Sequence, residues 1–582
     1  MAGLEQTERP VIRDNLQMGW GSDVAAEMLR RLGIEYIALN PGASYRGFHD
    51  SLVNYLGNRD PQMLLCLHED HAVAIAHGYA KASDKAMGVA LHANVGLMHG
   101  LVGVFNAWCD RAPMMIMGAT GPVDAMKRRP WMDWVHTAKD QGALLRHSVK
   151  WDDEPRSAGA LVESMLRAAA LMRTPPKGPV YICLDVGLQE QALDAPVDIP
   201  PVDRFGPGET PCASETAVAR AAELLVAAER PLILVGRTSR SRESWNHRVR
   251  LAELIGARVA TDLKSPAAFP TDHELHLGGL TLRISEESIE AAGAADVILL
   301  LDWIDPASFF RSLDGGAKAT VINCSLQSYL HNGWSMDHFG FPPSDLLILA
   351  EPELFTAQLL AEVEKWRDGP PKWKSSARRE VSPGSVRAKP ADAEIAPSDI
   401  GIVLNELRGH RDITLARVPI GWDGTIYPFT GPLDFLGYDG GGGLSSGPGN
   451  TIGAALALKN SDRIVVGILG DGDFLQGATA LWTAAKYEIP ALFLISNNRS
   501  NFTDVGHQET MARQRGRPVE NRWIGQDINA PAIDFSALAR SQGVAAFGPV
   551  ERFGDLAPAL EKALAFVEGG RPCLLDVVVK QS

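Results

Sequence analysis

The chain has 582 residues, enough for three domains of ordinary size, and its 45% hydrophobic and 22% charged content is that of a globular protein. A net charge of −14 leaves no basic surface that would point to nucleic acid, and an acidic surface of this kind favours solubility. The N-terminus, MAGLEQTERPVIRDN, has no apolar stretch of the sort a signal peptide needs, and six scattered cysteines without a CxxC pair read as buried free thiols in a reducing cytoplasm.

Residues 15–195 alternate strand and helix. Tyr36–Leu39, Met63–Leu67, Met87–His92, Met114–Ala119 and Val180–Leu184 are short apolar runs of the buried parallel type, and His71–Ser83 and Met98–Trp108 read as helices between them. The rhythm is that of a doubly wound α/β sheet. Met87–Cys109 runs 23 residues without an acid, Lys or Arg, long enough to span a membrane. Its His92, Asn94, His99, Asn106 and several glycines instead suit a buried strand, a loop and a buried helix, with His99 a structural residue on the helix's buried face.

Pro196–Pro211 is a proline-rich linker. Residues 212–365 form a second α/β block, with Pro231–Gly236, Val297–Asp302 and Ala319–Ser325 as its clearest strands. No GxGxxG follows any of them, so a dinucleotide site has no positive support. Arg367–Pro397, rich in Lys, Arg, Pro, Ser and Glu, is a second linker, and residues 398–582 form a third α/β block.

Within the third block, Arg463–Asn498 reads as a βαβ unit: strand Ile464–Leu469, the turn Gly470-Asp471-Gly472, helix Phe474–Tyr487, and strand Ala491–Ser496 closed by Asn497-Asn498. The two strand tips share one edge of a parallel sheet, where open α/β sheets bind ligands. A carboxylate at one tip and a carboxamide at the next suit Mg²⁺, which is usually shared with phosphate oxygens, and the glycines let backbone approach a diphosphate. Taken alone, the same GDG serves equally well as a tight βα turn.

The GDGD…NN spacing resembles the cofactor signature of the thiamine diphosphate-dependent decarboxylase and acetolactate synthase superfamily. LHEDHAVAIAHGYAKAS, with Glu69, resembles that superfamily's glutamate-bearing helix start, and GGGLSS, Gly441 to Ser446, resembles its cofactor-supporting turn. The resemblance covers essentially the whole chain and implies three doubly wound parallel-sheet domains: pyrimidine-binding (15–195), central (212–365) and diphosphate-binding (398–582). It implies thiamine diphosphate and Mg²⁺ as cofactors. Gly470, Asp471, Gly472, Asp473 and Asn498 then lie against the cofactor, with Asp471, Asn498 and the Ser500 carbonyl on the metal, Leu444 under the bent cofactor, and Glu69 bonded to its aminopyrimidine.

Benzoylformate and pyruvate decarboxylases are the nearest branches. LHANVGLMHGLVGVFNAWCDRAPMM places His92, and VHTAKDQGALLRHS places His136, on active-site histidines of those enzymes, and Asp504 falls where they carry a catalytic acid. The chain departs from them at Ala43, where a substrate-contacting serine is expected although Ser44 is adjacent. It departs again at Asp302, an anion that would repel a substrate carboxylate where a histidine is expected. A long polar segment following Asn498 carries Asp504, His507 and the basic cluster Arg513, Arg515 and Arg517.

The resemblance implies non-oxidative C–C cleavage of a small carbonyl substrate through a thiazolium ylide and enamine, by a 2-oxo acid decarboxylase or related lyase or carboligase. An acetolactate-synthase-type carboligase or 2-hydroxyacyl-CoA lyase is the second reading, and a non-catalytic cofactor-binding subunit the third. It also implies a cytoplasmic homodimer or homotetramer with its site at a subunit interface, and no nucleic-acid or membrane partner.

Overall fold

The computed structural model describes residues 7–11, 16–278, 280–327, 341–366 and 389–581; most of the Arg367–Pro397 linker lies outside them. The first sheet has six parallel strands: β1 (Tyr36–Leu39), β2 (Gln62–Leu65), β3 (Met87–Leu91), β4 (Met114–Thr120), β5 (Asp152–Asp153) and β6 (Pro179–Asp185). Their order, β2-β1-β3-β4-β6-β5, reverses direction between β1 and β3. That reversal opens a crevice at the strands' carboxyl ends, the usual ligand position in such sheets. Helix Glu69–Ser83 leads into β3, and helix Ala93–Cys109 starts two residues beyond β3's end, with no intervening loop.

The second sheet contains β7 (Pro231–Val235), β8 (Arg258–Ala260), β9 (Val297–Leu301), β10 (Thr320–Cys324) and β11 (Leu346–Ile348), in the order β11-β10-β9-β7-β8. The third contains β12 (Ile413–Arg417), β13 (Ile464–Gly470), β14 (Leu492–Asn497), β15 (Ala545–Val550) and β16 (Cys573–Val578), in the order β12-β13-β14-β16-β15. All recorded pairings are parallel. The three-sheet α/β architecture expected from sequence is therefore the one observed. The apolar runs form strands because both faces of each sheet are covered, leaving β3, β4, β6 and β9 buried at every residue.

The first and third sheets share one hydrophobic core through a close crossing of helix Glu69–Ser83 with helix Ser446–Ala457. The second helix was not expected, since Ser-Gly-Pro-Gly-Asn is a poor start. Its glycines are required by the crossing. A Cβ on Gly453 would sit 1.9 Å from the Ile75 carbonyl oxygen, one on Gly78 2.1 Å from that of Asn450, and one on Gly449 2.5 Å from Ala74 Cβ.

Four of the six cysteines are buried; Cys109 is half-buried and Cys212 exposed, so the expectation of buried thiols fails at Cys212. Among the described residues no helix is long and apolar enough to cross a membrane.

The crossing predicts opposite outcomes for two glycine-to-alanine changes. Gly453→Ala should lose about 1–3 kcal/mol of stability in urea unfolding, because crowding against backbone outweighs the ~1 kcal/mol that alanine gains inside a helix. Gly293→Ala, in helix Glu286–Ala294 with open space around its Cβ, should be neutral or stabilising.

Candidate active site

Pairing of Gly470 with Ser496 brings the ends of β13 and β14 level, which places Asp471 and Asn498 at the same edge. Beside them is a cavity of about 550 Å³, within the ~300–1,000 Å³ range of cofactor sites. Gly470, Asp471, Gly472, Asp473, Asn498, Ser500, Leu444 and Asp504 all line it.

The Asp471 carboxyl is buried, and its described partners are backbone N–H groups: Gly472 N–H donates to Oδ1 at 2.9 Å and Ser500 N–H to Oδ2 at 3.2 Å. Burial pushes it up to about 6, against the pull of those N–H groups. Asn498 Oδ1 accepts from Ser500 N–H at 3.0 Å and faces the same cavity. A buried carboxylate without a cationic partner, next to a carboxamide oxygen, is a donor set that fits a hard divalent cation. Asn497 has a different task, donating from Nδ2 to Asp576 Oδ1 at 3.0 Å.

Asp473, two residues on, is compensated. Arg417 Nη2 donates to its Oδ2 at 3.2 Å and Ser445 N–H to its Oδ1 at 2.9 Å. Arg417 is almost fully buried and also meets Asp439 at 2.6 Å, an ion pair whose angle falls short of a hydrogen bond. Burial opposes the guanidinium charge, yet the two carboxylates outweigh it and raise its pKa.

The segment after Asn498 is mainly helical, Phe502–Gln514, with Asp504 in its first turn. Asp504 and His507 face each other at 3.4 Å, both more than half exposed. Arg513 and Arg522 are tied to Glu509 at 2.6 and 2.7 Å, which assigns these charges to surface pairing.

A second cluster sits at the β1/β3 crevice. His92 stands at the N-cap position of helix Ala93–Cys109 without a side-chain capping bond; Ser44 Oγ lies 2.8 Å from its Nδ1 and accepts the Ala93 N–H at 3.0 Å. A Cβ on Gly42 would reach within 2.3 Å of the His92 ring, so NPGAS needs glycine there for space. The His136 ring meets His92 edge-on at 4.8 Å, and its Nδ1 is buried without a partner. Asn94 Nδ2 donates to the Val135 carbonyl at 3.1 Å and holds that segment in place. Burial, then His136 and Arg129, lowers the His92 pKa, with Glu69 opposing.

Glu69 opens its helix and is buried, and Gly96 gives it room: a Cβ there would stand 2.8 Å from Oε1. His99 Nδ1 lies 3.1 Å from Glu69 Oε2, and the His99 ring stacks on His68 at 4.8 Å. The expectation that His99 is structural on a buried face is therefore wrong. Its side chain is 58% exposed and contacts Glu69. Thirty residues separate the pair, and no local pattern signals it.

Asp302 also departs from expectation. It is buried, with Arg111 Nη1 2.5 Å from Oδ2 and Ser325 donating to Oδ1 at 2.6 Å. Its charge is paired in place by Arg111. Ser44, the last residue of NPGAS and noted from sequence only as the neighbour of Ala43, is the hydroxyl that meets His92. None of the first-block residues lines the Asp471 cavity, so the two clusters are separate within one chain.

Three family models match the chain: the thiamine pyrophosphate enzyme N-terminal TPP binding domain over residues 19–144, the central domain over 218–303, and the C-terminal TPP binding domain over 420–577. Benzoylformate decarboxylase from Pseudomonas aeruginosa is 28% identical, covering 95% of this chain and 97% of the relative. The acetolactate synthase large subunit of Lactococcus lactis is 23% identical, covering 97% and 93%. Among solved structures, the thiamine diphosphate-dependent 4-hydroxybenzoylformate decarboxylase of Rhodococcus jostii RHA1 aligns with a TM-score of 0.76 at 23% identity, covering 96% of this chain and 99% of that one. Benzoylformate decarboxylase from Polynucleobacter necessarius aligns at 0.78 and 20%, covering 97% and 99%; both structures show likeness of fold. With all three domain models in order along it, the chain belongs to the thiamine pyrophosphate enzyme family and is an enzyme related to its decarboxylases and acetolactate synthases.

Proposed function

We propose that the protein is a Mg²⁺-dependent, non-oxidative C–C bond-cleaving enzyme acting on a small 2-oxo acid or related carbonyl compound, as a decarboxylase or closely related lyase or carboligase. The observation that carries this reading is His92, an imidazole held between Ser44 and His136 at the β1/β3 crevice. Thiamine diphosphate, when bound, supplies a carbon nucleophile and an electron sink for the bond that breaks.

The chain's own residues divide the remaining work. Asp471, Asn498 and the Ser500 carbonyl would hold the metal, with Gly470 and Gly472 leaving space for the diphosphate. Glu69 would hold the aminopyrimidine ring, and Leu444 would support the cofactor from below. Ser44 occupies His92 Nδ1, which leaves Nε2 as the nitrogen that exchanges a proton with the substrate. His136 and Asp504 are the further acid/base groups of this reading.

A second copy of the chain would complete the site. Val95, Met98 and Val102 form an exposed apolar stripe on helix Ala93–Cys109, the helix that also carries His99. A homodimer or homotetramer that covers this stripe would bring the Glu69 cluster of one subunit to the Asp471 cavity of another. The free thiols suit a reducing cytoplasm.

Four measurements test the reading. With 2-oxo acids as substrates, Glu69→Gln should lower turnover at least ~10²-fold with far-UV circular dichroism unchanged; undiminished turnover refutes the role of Glu69. Asp471→Asn should weaken joint cofactor and Mg²⁺ binding by ~100-fold or more in calorimetry, and chelation by EDTA should silence the wild type reversibly. Met98→Glu should shift the protein toward monomer in sedimentation and lower activity in parallel; an unchanged sedimentation coefficient counts against the interface.

A further inference from the structure

A second cavity, of about 80 Å³, lies where the three blocks meet. Tyr438 lines both it and the large cavity. Five cationic side chains border it: Lys81 from helix Glu69–Ser83, Arg111 after helix Ala93–Cys109, Arg237 and Arg240 in the turn after β7, and Lys264 after β8.

Three of these charges are compensated. Lys81 lies 3.2 Å from Asp110, Arg111 2.5 Å from Asp302 and Lys264 2.5 Å from Asp262. Arg237 and Arg240 have no carboxylate within hydrogen-bond reach among the described residues; Nη2 of Arg237 donates to the Cys109 carbonyl at 3.2 Å and Nη2 of Arg240 to the Thr238 carbonyl. The nearest carboxylate oxygen to Arg237 is Asp302 Oδ1 at 4.0 Å, beyond hydrogen-bond reach, and Arg240 makes no ion pair among the described residues. Arg237 Nε and Nη1, Arg240 Nε and Thr238 Oγ1 are all buried without a hydrogen-bond partner.

The carboxylates on the cavity wall do not reach these atoms. Asp110 is engaged by His77 and Lys81, and Asp84 approaches Arg240 only at its backbone N–H, at 3.5 Å. Burial holds both arginines below their ordinary pKa, with Arg111 adding to the effect at Arg237. Four orphaned polar atoms on one short turn are unusual, since folded proteins pair nearly all such groups and each unpaired one is costly.

We propose that this turn binds one small tetrahedral oxyanion of the inorganic phosphate class, coordinated by Arg237, Thr238 and Arg240. Guanidinium forks match oxyanions bidentately, and a hydroxyl donor completes the set. The cavity is far below the ~300 Å³ of sites for larger ligands, so a nucleotide is not its occupant. The anion sits on the central block, in a cavity that shares Tyr438 with the large one.

The test uses the full chain saturated with thiamine diphosphate and Mg²⁺, so that phosphate cannot enter the large cavity. Inorganic phosphate is titrated in chloride buffer at constant ionic strength while thermal unfolding is followed. The wild type should show a saturable rise in Tm of at least ~2 °C, reproduced by sulfate and not by acetate. Arg240→Gln and Thr238→Val should lose that rise, and equilibrium dialysis should find one phosphate per wild-type chain. Arg240→Gln should also have a Tm no lower than wild type without phosphate, because an uncompensated guanidinium has been removed. The proposal is overturned if neither phosphate nor sulfate raises the wild-type Tm, or if both variants keep the full response.

Discussion

The close crossing of helices Glu69–Ser83 and Ser446–Ala457 is the constraint on which the arrangement of the molecule depends. Two α/β layers can share a core in many ways, but reciprocal glycines let these two backbones touch, and the contact then admits little sliding. The N-termini of both helices are brought together, where Ser445 Oγ donates to Asp70 beside Glu69. The turn preceding Ser445 is held from the other side by Asp439, which engages Arg417, Ser446 and Asn450. Leu444 and Tyr438 therefore stand on a turn that is braced at both ends.

Within this frame, buried charge is treated in two ways. Arg417 is tolerated because two carboxylates surround it, as a buried ion requires. Asp473 and Asp439 are consumed in that role. Asp471, in the first turn of the same helix Asp471–Gly477 as Asp473, has only backbone donors among the described residues and keeps a carboxyl pushed up by burial. The difference between two aspartates two residues apart supports assigning the cation to one of them. In the first block, burial and the neighbouring His136 imidazole lower the His92 pKa, while the Glu69 carboxyl pulls the other way.

Much of this architecture was legible in the sequence because buried parallel strands read as uninterrupted apolar runs. Tyr36–Leu39 and Ile464–Leu469 fall where expected to within a residue. Strands that break this pattern were missed: β5 is two aspartates, and β15 is half-exposed and contains Gly548 at φ +100°. Helix Ser446–Ala457 was missed because tertiary contact overrides its poor start. At the site, the residues on strand tips were readable and the contacts between blocks were not. Nothing local reveals that Arg111, 191 residues away, neutralises Asp302, or that His99 turns toward Glu69.

The division of labour follows from this placement. Asp471 and Asp473, the latter paired with Arg417, belong to the third block and line the large cavity. The imidazoles of His92, His99 and His136 and the carboxyl of Glu69 belong to the first block. On the proposed reading, cofactor binding and proton transfer thus reside on different sheets. A single chain holds the two sets apart, so on the proposed reading the reaction depends on how closely a second subunit brings one sheet edge against the other, which makes assembly part of the chemistry rather than a consequence of it.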